Sequence, residues 1–221
     1  MEQTILTDTQ RAFLDFFRER RNLAEIFYLT GGTALAAFYL AHRYSDDLDF
    51  FTHEDLFPQL EVEQFAREVA ETLHAGKTVY RRLYDRRIFF FEIGNEELKI
   101  EFTKYLSSQL NKAVDHHGLA VDSLDDIAAN KVMALMDRIE PKDFVDLYFL
   151  MHDHGYTTAS LRELVEKKFK LTLEPVTIGS EFAKVRHVVH LPKMIKLLSI
   201  KELKSFFMEQ VRKLTPDIFY E

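Results

Sequence analysis

The chain of 221 residues contains no cysteine and no tryptophan. Without cysteine it can form neither a disulfide framework nor a thiolate zinc site, and it has no cysteine nucleophile. It also lacks any apolar stretch near the roughly 18 residues that a membrane-spanning helix needs. The first residues, Met1-Glu2-Gln3-Thr4, have neither the basic region nor the apolar core of a signal peptide. We therefore expect a cytoplasmic protein that makes no membrane contact.

Size and composition are those of a folded globular protein. Hydrophobic residues make up 47% of the chain, and 20 residues are phenylalanine, so the chain can bury a substantial apolar core. The formal charge of −7 is unevenly spread. The segment from Lys184 to Lys213 holds eight basic and two acidic residues, a net of +6 that leaves −13 on the remainder. This basic tail is either a solvated helix face or a surface for a polyanion.

Hydrophobic periodicity predicts an α+β protein, with an α/β half followed by a helical half. The expected strands cover residues 27–29, 47–51, 78–84, 87–93 and 98–104. The expected helices cover residues 2–21, 33–42, 62–74, 123–138, 141–155, 158–169, 175–186 and 200–214. The change from one half to the other falls between about residues 105 and 122, and we divide the chain into residues 1–110 and 111–221.

Two aspartates mark the strand expected at residues 47–51. Asp47 and Asp49 stand at i and i+2, so on a strand their side chains point to one face while Leu48 and Phe50 point to the other. The two carboxylates would lie roughly 6–7 Å apart along the strand. Because neighbouring buried acids repel and resist desolvation, the pattern favours one or two shared divalent cations. A solvated strand edge is the alternative.

A glycine pair precedes the helix that comes before those acids. Without Cβ atoms, Gly31 and Gly32 let the backbone approach phosphate oxygens closely and adopt positive φ. Thr33 is the expected N-cap of the helix, and the N–H groups at its start are donors for an anion. A plain strand-to-helix turn explains the same glycines, so their assignment depends on the motif as a whole.

Together these segments, Gly31-Gly32-Thr33-Ala34-Leu35 and His42-Arg43-Tyr44-Ser45-Asp46-Asp47-Leu48-Asp49-Phe50-Phe51, resemble the opening motif of the nucleotidyltransferase superfamily. Their form is similar to that of the AbiEii/AbiGii toxin family. The resemblance implies a small mixed β-sheet nucleotidyltransferase core in residues 1–110 and a C-terminal helical bundle in residues 111–221. It also implies nucleotide binding by the glycine turn. Arg43 and Ser45 flank the acids, and Arg43 would either contact phosphate or pair with Asp46.

The superfamily pattern requires a third carboxylate on a neighbouring strand. Glu101, within Leu98-Lys99-Ile100-Glu101-Phe102, is our candidate, although Asp is commoner at this place; Glu92 is its rival. Asp47, Asp49 and Glu101 would then bind one or two Mg²⁺ ions, or Mn²⁺, since these cations prefer oxygen ligands. In a two-metal arrangement, one ion activates the attacking hydroxyl and both stabilise the phosphorus centre.

A second group of charged residues lies on two consecutive predicted helices. Spacing alone favours a salt-bridge network between these helices. The resemblance instead implies that Lys131 and Asp143 line the nucleotide cleft and take part in catalysis, with Asp146 as a further nucleotide-binding residue or as a residue that orients Lys131 or Lys142. Lys142 stands where Arg is more usual, which keeps the charge but loses the bidentate geometry.

The function implied by the resemblance is Mg²⁺-dependent transfer of a nucleotide from a nucleoside triphosphate to an acceptor hydroxyl, with release of pyrophosphate. An RNA 3′ end such as that of tRNA, or a protein side chain, would be the acceptor. The family also implies a toxin–antitoxin or phage-defence setting with a cognate antitoxin as partner. The alternative is a non-catalytic or altered-activity nucleotidyltransferase-like binding module, which the departures at Glu101 and Lys142 keep open.

Overall fold

The structure, a computed structural model, describes residues 5–219 and their side chains as far as residue 214. Within this range, no helix combines the length and hydropathy that a membrane crossing requires. Contacts divide the chain into two compact units. The first unit comprises residues up to 39, 45–108 and 112–123, and the second comprises residues 40–44, 109–111 and the chain from 124 onward.

A seven-stranded mixed sheet forms the centre of the first unit. Its strands are β1 (Tyr28–Thr30), β2 (Asp47–Thr52), β3 (Lys77–Leu83), β4 (Arg86–Ile93), β5 (Glu96–Lys104), β6 (Val114–His116) and β7 (Leu119–Val121). Their order in the sheet is β3-β4-β5-β2-β1-β7-β6. The β2–β5 and β1–β7 pairs are parallel, and the other neighbours are antiparallel. The acid strand β2 therefore lies at the centre of the sheet.

The first unit also contains the helices α1 (Asp8–Arg18), α2 (Arg21–Ala24), the short α3 (Gly31–Leu35) with a π-helical continuation to Leu40, and α4 (Gln59–Thr72). One face of the sheet packs against α1 and α4. Phe13 and Phe17 of α1 and Phe65 of α4 pack with Phe50 of β2 and Phe102 of β5 in one aromatic cluster. All five rings are at least 98% buried. Burial of this face fixes which side chains of β2 and β5 remain on the other one.

The second unit is helical. It contains α5 (Leu124–Asp137), α6 (Pro141–His154), α7 (Thr158–Phe169), α8 (Pro175–Ala183), a 3₁₀ turn over Lys184–His187 and α9 (Ile200–Phe219). Phe144, Phe182 and Phe207 meet in its core. Helix α6 ends at Gly155 with φ 73°, the left-handed conformation that glycine adopts without strain.

The structure confirms the predicted α+β class, with a mixed sheet followed by a helical region. Several local predictions were wrong. The helix that was expected to follow the glycine pair includes both glycines: it starts at Gly31 and has Thr30 as its N-cap, so Thr33 is not the cap. Strands β6 and β7 were not predicted, because three-residue strands give too short a pattern to recognise. Residues 2–4 of the first predicted helix lie outside the described residues.

Candidate active site

The face of β2 opposite the aromatic cluster carries the two aspartates. Leu48 and Phe50 are fully buried, while Asp47 and Asp49 are partly exposed on the other side of the strand. This alternation agrees with the prediction that both carboxylates share one face. Their rise along the strand is two residues, or roughly 6–7 Å.

Glu101 joins the aspartates on this face. Strands β2 and β5 are parallel and in register, with Asp49 opposite Glu101 and Asp47 opposite Lys99. In-register residues of neighbouring strands point the same way, about 5 Å apart along the hydrogen-bonding direction. The rival Glu92 is paired in register with Glu97 near the other end of β5. The geometry therefore groups Glu101, and not Glu92, with the two aspartates; we call Asp47, Asp49 and Glu101 the acid triad.

Two basic side chains lie on the same face and contact the triad. Lys99 Nζ is 2.7 Å from Asp47 Oδ2. The guanidinium of Arg86, on β4, donates to both carboxylate oxygens of Glu101. Glu101 is only 4% exposed and also accepts a hydrogen bond from the Thr103 hydroxyl. The hydrogen bonds to Glu101 raise the pKa of Arg86, and the charges of the triad add to this rise.

Gly31 is fitted closely against Asp49. It has φ +73°, and a Cβ atom built there would lie 2.4 Å from Asp49 Oδ2 and 3.3 Å from Asp49 Cβ. Both the backbone conformation and the contact thus exclude a side chain at residue 31. The glycine turn therefore allows the Asp49 carboxylate to lie directly against the backbone.

The other predicted residues of this segment have structural contacts. The Thr33 hydroxyl is buried and donates to the backbone carbonyl of Asp47, which ties α3 to the start of β2. The Ser45 carbonyl accepts a hydrogen bond from the buried side chain of Gln10. Gly32 is partly exposed beside Gly31. Their predicted role in nucleotide binding stays a prediction.

Lys131, Asp143 and Asp146 come together in the second unit as a buried network. Lys131 Nζ, on α5, lies 3.0 Å from Asp143 Oδ1 and 2.5 Å from Asp146 Oδ2, both on α6. Arg138 contacts the second oxygen of Asp143. Lys131 is 6% exposed, and both aspartates are fully buried. This is the salt-bridge network between adjacent helices that spacing alone favours; the nucleotide-binding role of these residues stays a prediction.

Arg43 extends the same network. Its guanidinium donates to both oxygens of Asp146, at 2.6 and 2.8 Å, and does not pair with Asp46 as one of our alternatives proposed. His42 Nε2 is 2.8 Å from Asp146 Oδ1. Asp146 thus holds residues 42 and 43 within the second unit.

The pKa values follow from this arrangement. Burial alone would raise the pKa of Asp146, but the charges of Lys131 and Arg43 hold it well below its usual range. Burial would lower the pKa of Lys131, yet the charges of Asp146 and Asp143 raise it. For His42, burial prevails and lowers the pKa despite the hydrogen bond to Asp146. Lys131 and Asp146 are therefore charged, and His42 is neutral, at pH 7.

Sequence reasoning missed Lys99, Arg86 and His42. Lys99 follows the predicted alternation of β5, so its position opposite Asp47 could have been found once β2 and β5 were paired in parallel. Arg86 lies just before the strand predicted at 87–93, and only the antiparallel pairing of β4 with β5 brings it to Glu101. His42 gave no signal, because its partner Asp146 is 104 residues away.

The triad has the donor chemistry of a magnesium site. Carboxylate oxygens on neighbouring strands suit a hard divalent cation, and the backbone of Gly31 leaves room for the Asp49 carboxylate. Within the described residues, however, no group of three or more His, Asp or Glu side chains is arranged as a metal site. In the structure Asp47 and Glu101 are paired with Lys99 and Arg86 instead. Binding of a cation by the triad stays a prediction, and the cation would have to displace these two basic side chains.

Replacing Gly31 by alanine tests the contact with Asp49. We expect Gly31→Ala to lower the free energy of unfolding by about 2 kcal/mol, since it adds a steric clash to the cost of positive φ. Gly118→Ala is the matched control, because Gly118 also has positive φ but open space around it; it should lose only about 1 kcal/mol. Urea unfolding measures both. Equal losses in the two variants would contradict the close fit.

The lowered pKa of His42 predicts a pH dependence of stability. A histidine whose pKa is lower in the folded state binds more protons when unfolded, so stability falls as pH drops below about 6.5. The slope should approach about 1.4 kcal/mol per pH unit for one such group. His42→Asn should flatten the slope of unfolding free energy between pH 8 and 5.5, whereas His190→Asn, at an exposed histidine, should not. An unchanged slope in His42→Asn would refute the prediction.

The chain is similar to known proteins in sequence and in fold. A protein of Aquifex aeolicus (strain VF5), itself uncharacterized, is 36% identical over 148 residues, which cover 65% of this chain and 66% of the relative. The crystal structure of JHP933 from Helicobacter pylori superimposes with a TM-score of 0.56 at 19% identity, covering 98% of this chain and 95% of that one. A second H. pylori structure, of a candidate nucleotidyltransferase, has the same score and identity and covers 96% and 98%. At this identity the two structures show the fold.

The family is shown by the sequence itself. The profile of the family described as nucleotidyl transferase AbiEii toxin, type IV toxin–antitoxin system, matches residues 14–217. This range includes the glycine turn, the acid triad and the buried network of the second unit. The chain belongs to the AbiEii nucleotidyltransferase toxin family.

Proposed function

We propose that this protein is a metal-dependent nucleotidyltransferase that transfers a nucleotide from a nucleoside triphosphate to an acceptor hydroxyl and releases pyrophosphate. The observation that carries the proposal is the register of β2 and β5, which sets Asp49 beside Glu101 with Asp47 on the same face. Nucleotidyl transfer needs charge neutralisation and alignment more than covalent chemistry from the protein. Three carboxylates on one rigid sheet face supply that alignment.

The predicted site residues of the first unit have different roles in this proposal. The triad would hold Mg²⁺ or Mn²⁺, and the bound ion would supply Lewis-acid stabilisation of the phosphorus centre. The hydroxyl of Thr33 fixes the start of β2, so that Asp47 keeps its orientation. Gly31 allows Asp49 to lie against the backbone. Gly32 and Ser45 retain their proposed contacts with the nucleotide.

In the buried network of the second unit, the two aspartates hold the basic side chains in place. Asp146 and Asp143 fix Lys131, and Asp146 also fixes Arg43. The family resemblance is the reason to assign Lys131 and Asp143 to catalysis and Arg43 and Asp146 to nucleotide binding. Because Lys131 is buried between two carboxylates, its removal would leave buried charges unpaired and should cost stability as well.

RNA is the acceptor we favour, and a tRNA 3′ end is one such substrate. The basic tail is the reason, although several of its cations are engaged within the protein. Lys184 pairs with Glu181, Lys196 with Asp153 and Lys213 with Glu209. Of these, only the Lys196 pair joins residues far apart in the chain. Family membership also supports a cognate antitoxin as partner.

Replacement of the aspartates tests the enzymatic proposal. Asp47→Asn and Asp49→Asn should each reduce transfer of label from an α-³²P nucleoside triphosphate to total cellular RNA by about 10³-fold, since each removes a proposed metal ligand and its charge. Asp46→Asn is the matched control, because Asp46 is exposed and precedes β2; it should retain activity. Equal activity in all three variants would refute the assignment of the triad.

The same assay distinguishes an RNA acceptor from other acceptors, and an enzyme from a non-catalytic binding module. Transfer to RNA should fall steeply between 50 and 200 mM salt, because each neutralised phosphate releases counterions. Transfer that is indifferent to salt would favour a protein or small-molecule acceptor. Nucleotide binding without transfer to any acceptor would instead support the non-catalytic binding module.

A further inference from the structure

Two basic side chains, Lys99 and Arg86, lie on the sheet face of the acid triad, and the proposed metal chemistry gives neither of them a role. Lys99 lies opposite Asp47 in the β2–β5 register, and Arg86 lies opposite Thr103 in the β4–β5 register, next to Glu101. Their contacts are short: 2.7 Å from Lys99 Nζ to Asp47, and 2.6 Å from Arg86 Nη2 to Glu101. Together with the triad, they form a group of three negative and two positive side chains on this face.

These pairs differ from an ordinary surface salt bridge of the same sheet. Lys77 and Glu92, on β3 and β4, are 3.6 Å apart with side chains 63% and 54% exposed. By contrast, the side chain of Glu101 is 5% exposed beside Arg86 at 46%, and that of Lys99 is 26% exposed beside Asp47 at 35%. A carboxylate as buried as Glu101 needs a cation beside it, because an unpaired charge resists desolvation. Arg86 meets that need in the protein without metal.

A divalent cation bound to the triad would change this balance. It would compete with Lys99 for Asp47 and with Arg86 for Glu101, since the same carboxylate oxygens serve both. The two released side chains would then remain on the face where a triphosphate brings several further negative charges. Arg suits phosphate because its planar guanidinium binds two oxygens at once, and Lys acts as a mobile point charge.

We propose that Lys99 and Arg86 are exchangeable counter-cations, which neutralise Asp47 and Glu101 in the metal-free protein and bind the triphosphate oxygens of the substrate once a divalent cation takes the carboxylates. The inference rests on the proposed function, and it adds two nucleotide-binding residues that the motif does not include. Both act by position and charge, and neither takes part in bond making.

If Lys99 competes with the metal and also binds the triphosphate, removing its charge changes the affinities for the two ligands in opposite directions. A structural role would not do this. Removing the charge of Lys99 should strengthen metal binding, because a competitor is lost, and weaken triphosphate binding, because a contact is lost. A merely structural lysine would weaken both through distortion of the face, or would change neither.

The test uses Lys99→Met, which keeps the length and apolar stem of the side chain, with Lys77→Met as the matched control. Mn²⁺ binding without nucleotide is measured by the electron paramagnetic resonance signal of the free ion. Binding of a non-hydrolysable triphosphate analogue with Mg²⁺ is measured by calorimetry. Lys99→Met should bind Mn²⁺ about three- to fivefold more tightly and the analogue about tenfold more weakly. Lys77→Met should match the wild type in both measurements.

A variant that preserves the charge of Lys99 and a variant of Arg86 complete the design. Lys99→Arg should restore both affinities to near wild type, and Arg86→Gln should show the same opposite changes as Lys99→Met. If Lys99→Met loses its native circular dichroism, Lys99→Gln replaces it in both titrations. Mn²⁺ binding that is unchanged or weaker in folded Lys99 and Arg86 variants would overturn the inference, as would a wild type that binds no Mn²⁺.

The two proposals fail in different ways. If the wild type transfers no nucleotide to any acceptor, the proposed function fails, while the Mn²⁺ titration still reports whether Lys99 competes for Asp47. If transfer occurs but the variants bind Mn²⁺ and the analogue as the wild type does, only the counter-cation role is refuted.

Discussion

Mutual repulsion of three carboxylates on one sheet face is the constraint around which the first unit is arranged. Asp49 and Glu101 lie side by side because β2 and β5 pair in register, and Asp47 is one step along the same face. Such a group is stabilised by positive charges that lie beside it. Lys99 and Arg86 supply two positive charges, and the close approach of Gly31 leaves space for the third carboxylate. The opposite face, with its phenylalanine cluster, holds the strands rigid enough for this spacing to persist.

The second unit solves a different electrostatic problem with the same types of residue. Its two buried aspartates, Asp143 and Asp146, are each matched by nearby cations, and the network depresses the pKa of Asp146. Here the charges are buried and paired, whereas in the first unit Asp47 and Asp49 are partly exposed and only Glu101 is buried. Buried, fully paired charges favour a fixed arrangement. Partly exposed carboxylates paired with basic side chains can exchange these partners for ligands. This contrast is the physical reason why we propose the metal site on β2 and β5 and not in the second unit.

Family membership and the positions of the charged residues both bear on the function. The family profile covers nearly the whole described chain, including the glycine turn and the two aspartates. The departures from the commoner pattern, Glu101 and Lys142, fall at different kinds of position. Glu101 retains a carboxylate in register with Asp49, so the donor chemistry is preserved. Lys142 is partly exposed at the start of α6 and takes no part in the contacts that fix Asp143 and Asp146.

The sequence by itself determined the local features of this protein. Strand alternation placed Asp47 and Asp49 on one face, and periodicity predicted most helices, because these patterns depend on residues close together in the chain. The choice of Glu101 as third carboxylate came from the family resemblance. Only the tertiary structure decided which charges meet. Arg86 reaches Glu101, His42 and Arg43 reach Asp146, and Lys99 reaches Asp47 across 15 to 104 residues of chain. Such contacts leave no periodic trace, since strand pairing and helix packing, and not spacing along the chain, set the distance between the side chains.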